Sequence, residues 1–497
     1  MRKPVLIFCL YLFASAVSGN LSAEEYYVSN RGNDKADGTA PETSFKSLQQ
    51  LNQLKLKPGD KVFLKAGDTF TGSLKINKSG KPGNPIVISS YGKGEKPVIS
   101  GAVVISNFIS EGDHVYSATC NKPIKSLYRN DSIMICARYP NSGFLYMDET
   151  GGEDYLVDNE LAFEKDELAG ATVRVHVHNW YYDHRTITGN ESGKIYFNSL
   201  NYEPNLFRAP TGKKGFDYYL DNKKAFLDTA NEWYYSPEAK KLYIYSDQPL
   251  SKQDVIKGSY INTGLVIEKG VSHIQIKNLG FYGQAKTGIL ALGDNSNIEI
   301  DDNYFQNISE VGIYTEKSGS NFTISNNSLH DISGGAIKLY HINNSLIENN
   351  HIERIGLIAG YGRGGLDDAN GICILNYEIP YKDSLELSHH NIVRSNYIEN
   401  IGYDGIRFDG HSSVCDSNII KNTQLTLHDG GGIYCSVHAF KNSIKNNIII
   451  SDKALDKHVI ALGIYLDFLA RDILVEGNII CNYNGGIMSN MQAYDNN

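Results

Sequence analysis

Tryptophan, methionine, cysteine and proline are scarce in this chain, at 2, 5, 7 and 13 residues among 497. Seven cysteines spread this widely do not staple a small disulfide scaffold, and no CxxC pair supplies zinc-ligand spacing. Six of them, Cys120, Cys136, Cys373, Cys415, Cys435 and Cys481, follow the first apolar run. An exported compartment permits a disulfide, but a chain of this length can bury a core without one. Positive charge is also lacking: 47 Lys and Arg against 56 Asp and Glu give a net charge of -9, which removes the basic footprint of a nucleic-acid binder. Long apolar runs are missing after the opening "MRKPVLIFCLYLFASAVSGNLSA". That opening has a basic start, an apolar stretch of about a dozen residues and a small-residue end, which predicts a signal peptide over residues 1–23 and export to the periplasm, cell surface or medium. Cys9 lies inside the apolar stretch without the small residues of a lipoprotein site before it. No later stretch approaches the roughly 18 residues of a membrane span, so none is expected in the mature protein.

What is abundant is a repeat. Aligned on an asparagine followed by mostly apolar residues, the second half reads "IQIKNLGF" at Asn278, "IEIDDNYF" at Asn303, "FTISNNSL" at Asn327 and "SLIENNHI" at Asn350. It resumes with "NIVRSNYI" at Asn396, "SVCDSNII" at Asn418, "NSIKNNII" at Asn447 and "ILVEGNII" at Asn478. The intervals are 25, 24 and 23 residues, then 46, 22, 29 and 31, a period near 23 with insertions. Each asparagine is followed by a second signature, among them "TGILAL", "VGIYTE", "DGIRFDG", "GGIYCSV" and "LGIYLDF". Two short alternating strands per repeat with Gly and Asn turns predict an all-β solenoid, because period-2 alternation excludes helical repeats and no LxxLxL frame is present. Isoleucines should form inward columns from coil to coil, about 4.8 Å apart, and the asparagines an internal ladder that satisfies turn backbone groups.

The first half is less regular. "SFKSLQQLNQL" predicts a short amphipathic helix with Ser44 as a possible cap and Phe45, Leu48, Leu51 and Leu54 on one face, covering the end of the solenoid. Residues 24–101 are expected to hold this cap and the first coils, and 261–497 the solenoid with its loops. Between them, 102–260 should be a β-rich insertion, since "ATVRVHVHNWYYDHRTITGNESGKIYFN" and "NEWYYSPEAKKLYIYSD" have hairpin character.

The opening "YYVSNRGNDKADGTAPETSFKSL", with "GDKVFLKAGDTFTG" and "NPIVISSYG", resembles the N-terminal end of right-handed parallel β-helix proteins of the pectate-lyase-like superfamily. "NEWYYSPEAKKLYIYSD" is similar to a segment of exported bacterial β-helix glycoside hydrolases and their relatives. The resemblance covers nearly the whole chain after residue 23. It implies the fold and a carbohydrate-directed activity, with active residues on the outside of the sheets among inserted loops. No complete catalytic motif matches, so it assigns no residue a role.

The residues themselves point to one region. Long excursions, "HIERIGLIAGYGRGGLDDAN", "TQLTLHDG" and "SDKALDKHVIAL", lengthen the coils between about 350 and 470 and should wall a cleft there. Carboxylates precede the "GI" strands at Asp367, Asp368, Asp404 and Asp429. With isoleucine inward, two rows face out. One carries Tyr314, Lys338, Cys373, Arg407, Tyr434 and Tyr465, the other Glu316, Asp409, Ser436 and Asp467. Asp409 and Asp467, two rungs apart, could reach the roughly 6.5 to 9.5 Å spacing of an inverting glycosidase, and adjacent Asp404 and Asp429 the retaining spacing of about 5 Å.

The expectation is therefore a glycoside hydrolase acting on a poly- or oligosaccharide. Asp409, Asp467, Asp429 and Asp404 are its catalytic candidates, and no cofactor is required. Arg407, Tyr434, Tyr465, His438, His411, Lys338 and Glu316 would hold substrate by stacking, hydrogen bonding and charge. A polysaccharide lyase is the alternative, with Ca²⁺ on Asp367 and Asp368, joined by Asp404 and Asp429, and Lys338 or Arg407 as base. A non-catalytic glycan-binding solenoid is the third reading. Each aspartate before a glycine also has an ordinary turn role. The chain stops just after a coil strand, at "GGIMSNMQAYDNN", which leads to the expectation of a covered last edge or a shortened chain.

Overall fold

The computed structural model describes residues 23–150, 154–198, 214–364, 368–376, 387–453, 455, 458–490, 493 and 496. Three parallel sheets wind along one axis. The first runs from Glu25–Val28 to Leu474–Glu476, the second from Thr69–Thr71 to Ile479–Cys481, and the third from Leu74–Ile76 to Gly485–Ser489. Each coil contributes one strand to each sheet, so there are three strands per repeat where the alternation suggested two. The strand after the asparagine is short, 3 residues at Tyr304–Gln306 and 5 at Ser328–Ile332, which leaves little length for a period of its own.

Isoleucine fills the interior because each inward position repeats on the next coil. In the third sheet Ile289, Ile313, Ile337, Ile372, Ile406, Ile433 and Ile464 stack in register, and none is more than 1 % exposed. Each such burial stabilises by about 1.5–3 kcal/mol before chain entropy is counted. The second sheet has a parallel column in which the Phe281 and Phe305 rings stack with centroids 4.9 Å apart.

Asparagine turns the corner between the first and second sheets. Asn396 donates its backbone N–H to Asn418 Oδ1 at 3.0 Å and its amide to Ile347 O, Arg394 O and Asn418 Oδ1, while its own Oδ1 accepts from Asn350. The same bonds link Asn303, Asn327, Asn350, Asn396, Asn418, Asn447 and Asn478. Asn278 is not a member. Leu279 occupies the ladder position, its N–H bonding Asn303 Oδ1 at 3.1 Å, and Asn278 is the preceding left-handed residue (φ 55°) with its amide on Ser90. The first interval is thus 24 residues, not 25.

The capping segment also differs from expectation. The helix is confined to Leu48–Leu51, and its cap is Ser47, whose Oγ accepts from the Gln50 N–H at 3.3 Å. Phe45 cannot join it. Its N–H and C=O are taken by Tyr27 O and Ser29 N, which fix it as an extended bridge at the end of the first sheet.

Strand Val98–Ser100 pairs directly with Gly280–Tyr282, so the chain between leaves and rejoins the solenoid across a single rung. Within it an 8-stranded sheet runs from Ala102–Ile105, paired with Ile256–Ser259 at one edge, to Ile109–Gly112 at the other, and Thr172–His178, Tyr181–Glu191 and Lys194–Phe197 form the middle of a second. Both expected hairpins are present, Trp233 facing Ile244 and Val173 facing Arg185. Apolar clusters around Val173 and Leu242 give these sheets cores of their own. They dock on the turns that lead into the third sheet: Tyr128 Oη donates to Asn307 O (2.6 Å), Tyr219 Oη to Ala359 O (2.5 Å) and the His428 N–H to Asn179 O (2.7 Å).

Candidate functional site

The "DGIR" pattern places its acid and its cation on the same outer face for a steric reason. A Cβ on Gly405 would lie 2.5 Å from Ile420 Cγ2 and 2.6 Å from Gly432 O, inside the solenoid. Gly405 and Ile406 therefore both turn inward, and Asp404 and Arg407 on either side turn out. The register then builds the expected row: Tyr314, Lys338, Cys373, Arg407, Tyr434 and Tyr465 are successive partners across five pairings. One residue beyond the strand ends, the Asp409 N–H bonds Ile374 O and the Asp467 N–H bonds Cys435 O, which continues the second row.

The upper end of this face holds one connected cluster. Tyr434 Oη donates to Asp467 Oδ2 at 2.8 Å, and the Asn490 amide to Asp467 Oδ1 at 2.5 Å. The Tyr465 hydroxyl accepts from the Asn490 amide at 3.2 Å, and burial together with the charges of Asp429 and Asp467 raises its pKa. Arg407 Nε donates to Asp409 Oδ2 at 3.2 Å, its guanidinium 5.3 Å from the Tyr434 ring centre. Asp409 also accepts from the Ser436 N–H at 3.0 Å and is only 5 % exposed, while Asp404 is fully covered and accepts from the Gly431 N–H at 2.9 Å. Asp429 and Asp467 keep part of their surface in solvent. Burial, followed by the charge of Asp467, raises the pKa of Asp429; the Tyr465 hydroxyl opposes this.

Three members of the cluster were not singled out in the sequence. Tyr403 is buried with its hydroxyl on Asp429 O (2.9 Å), beside Asp404 and Arg407. Asn370 Oδ1 accepts the Asp404 N–H at 3.1 Å, and Asn490 follows the last third-sheet strand. A signal for Tyr403 existed. The triple glycine 430–432 makes room for it, because a Cβ on Gly430 would stand 2.4 Å from Asp404 Oδ1 and 2.5 Å from the Tyr403 ring.

The other expected residues lie elsewhere on the same solenoid. Lys338 is in the row but only 2 % exposed, next to Tyr340 and under the influence of Asp368 and Glu310. Glu316 is on a coil four rungs below the Asp429 coil, about 19 Å along the axis. His411 is stacked between His389 (5.2 Å) and Phe440 (4.8 Å) at the corner toward the first sheet. His438 is on that corner too, its carbonyl accepting from Gly410. Asp367 lies outside the described residues. Asp368 is buried, with Oδ2 accepting from the Gly364 N–H at 2.7 Å. Among the described residues no three His, Cys, Asp or Glu side chains gather as a metal would need.

Burial raises the Asp368 pKa to about 6, against the pull of Lys338. A carboxyl whose pKa is raised by folding favours the protonated fold, so its contribution to stability declines as pH climbs from the unfolded value through 6. Denaturant melts between pH 4 and 7 should show wild type losing about 2 kcal/mol more than Asp368→Asn over that interval.

The comparisons with known proteins agree with this architecture. A family model described as a right-handed beta helix region matches residues 263–449. A solved structure described as a glycoside hydrolase superposes with a TM-score of 0.68 at 16 % identity, covering 93 % of this chain and 97 % of that one. The xylose complex of XylC gives 0.54 at 16 % identity, over 92 % and 70 %. No curated protein matches the sequence. No described helix is long and apolar enough to cross a membrane. The stacked sheets, the asparagine ladder and the matched region together show that the chain folds as a right-handed parallel β-helix.

Proposed function

We propose that this protein is an exported glycoside hydrolase that cleaves a poly- or oligosaccharide on the outer face of the third sheet. The observation that carries the reading is the pairing of Asp429 and Asp467 around Tyr434 and Tyr465: two partly exposed carboxylates on one face, with the pKa of Asp429 raised by burial and by the charge of Asp467. Glycoside hydrolysis needs such an acid and carboxylate in one site. Asp429 is the proton donor to the leaving oxygen. Asp467, held by Tyr434 and Asn490, is the carboxylate that meets the anomeric carbon or its attacking water. Asp409 positions Arg407, and Asp404 positions the 430–432 strand start; both are too covered to touch a sugar. The similarity to solved carbohydrate-active β-helix structures supports the substrate class. The lyase reading is disfavoured because Lys338 is enclosed and Arg407 is already engaged by Asp409.

The test is a panel of plant and microbial glycans read for new reducing ends and for the ultraviolet absorbance of an unsaturated uronate. Reducing ends without absorbance, unchanged by a chelator, are expected. Absorbance lost with chelator would assign a lyase, and no turnover on any glycan would favour a binding solenoid.

A further inference from the structure

The inserted sheets do not seal completely against the coils. Between them lies a cavity of about 190 Å³ lined by Lys125, Arg174, His184, Ser309, Ser333 and Tyr361 among others. At about 30 Å³ per water this is space for roughly six waters, enough for one sugar ring and too little for two. Its walls combine elements distant in sequence. Ser126 and Ser309 join hydroxyls across the junction at 2.8 Å, and Tyr361 accepts the Cys136 N–H at 2.9 Å.

Charge in this cavity is arranged unevenly. Arg174 is committed, with Nε on Asp221 Oδ2 at 2.6 Å, a second nitrogen on Gly360 O and its plane over Tyr361. Lys125 is different: among the described residues its amine makes no hydrogen bond or ion pair, and although the residue as a whole reaches solvent, burial of the amine and the charge of Arg174 lower its pKa, a cost that an incoming anion would relieve. His184 Nδ1 is likewise buried without a hydrogen-bond partner. Burial and the charges of Arg174, Lys125 and Arg185 push the imidazole down to about 3, so it is neutral and able to exchange hydrogen bonds with a hydroxyl. The nearby acid, Glu310, has its pKa raised, chiefly by burial, against the pull of Lys125 and other cations. A cation, a neutral imidazole and several hydroxyls around a one-ring space suit a sugar with one negative charge.

We propose that this cavity is a second saccharide site, specific for a uronic acid residue, with Lys125 binding the carboxylate and His184, Ser309 and Ser333 the hydroxyls. It lies on the coils of Ser309 and Ser333, three to four rungs below Asp429, or about 14–19 Å along the axis, so it is separate from the carboxylate pair. It does not depend on the reaction assigned to that pair.

Binding of galacturonate, glucuronate, galactose, glucose and inorganic sulfate to the full chain, followed by calorimetry or ligand-observed NMR, tests the assignment. The uronates should bind at least tenfold tighter than their neutral counterparts. Lys125→Met should remove that preference and Lys125→Glu should abolish uronate binding, with melting temperatures near wild type. Asp467→Asn should leave it intact, which separates this site from the proposed catalytic one. Equal affinity for galactose and galacturonate, or uronate binding unaffected by Lys125→Met, would overturn the proposal. Sulfate binding as tightly as the uronates would reduce the cavity to a simple anion site and overturn the saccharide assignment.

Discussion

Asp467→Asn and Asp429→Asn should each lower turnover by about a hundredfold or more, since each removes either the carboxylate at the anomeric carbon or the proton donor. The two variants should differ in how they respond to pH and leaving group. Asp429 must be protonated to act, so the wild-type rate should fall as pH rises through its raised pKa, and that limb should vanish in Asp429→Asn. An aryl glycoside whose leaving group needs little protonation should restore much of the rate to Asp429→Asn and none to Asp467→Asn. Arg407→Met should have a smaller effect, mostly on KM. Identical profiles in both aspartate variants, or full activity in either, would remove the pair from the mechanism. Stability moves the opposite way. Because folding raises the Asp429 pKa, ionising it at neutral pH works against the fold, and Asp429→Asn should melt slightly higher than wild type there.

The carboxylate face was legible in the sequence because a β-helix converts sequence period into spatial adjacency. Once isoleucine was assigned inward, Arg407, Tyr434 and Tyr465 had to lie one above another, and they do. What could not be read was depth. Asp404, Asp409, Asp429 and Asp467 look alike on paper, yet two are sealed by backbone amides of the next coil and two are open, a difference set by how turns of unequal length fold over the strand ends. Tyr403 and Asn490 flank third-sheet strands rather than sit in the outward rows, and for Tyr403 the signal lay a coil away, in the glycines 430–432 that make room for its ring. The same limit explains Asn278: a one-residue shift in a left-handed turn leaves the motif "NLGF" looking like "DNYF" although Leu279 holds the ladder position. The cavity beneath the inserted sheets was invisible for a stronger reason, since it joins residues near 125, 184 and 333 that belong to different architectures.

The ladder offers a sharp comparison of buried and peripheral asparagines. Replacing Asn396 with Leu deletes its side-chain bonds to two carbonyls and the next amide, and strips the acceptor from the Asn350 N–H, all within a site 1 % exposed. Leaving those backbone groups unsatisfied in the core should destabilise the protein by about 3 to 5 kcal/mol. Asn278→Gly should change stability by less than about 1 kcal/mol, because glycine accepts φ 55° without strain and only the bond to Ser90 is lost. Chemical denaturation of the two variants decides the matter: comparable losses would mean that the ladder's bonds are replaced by water once broken. A large gap means that stability in this solenoid is transmitted coil to coil through the amides. On that basis, weakening the ladder at Asn396 or Asn418 should also loosen the third-sheet strands 406–408 and 430–435 beside it, and with them the spacing of Asp429 and Asp467.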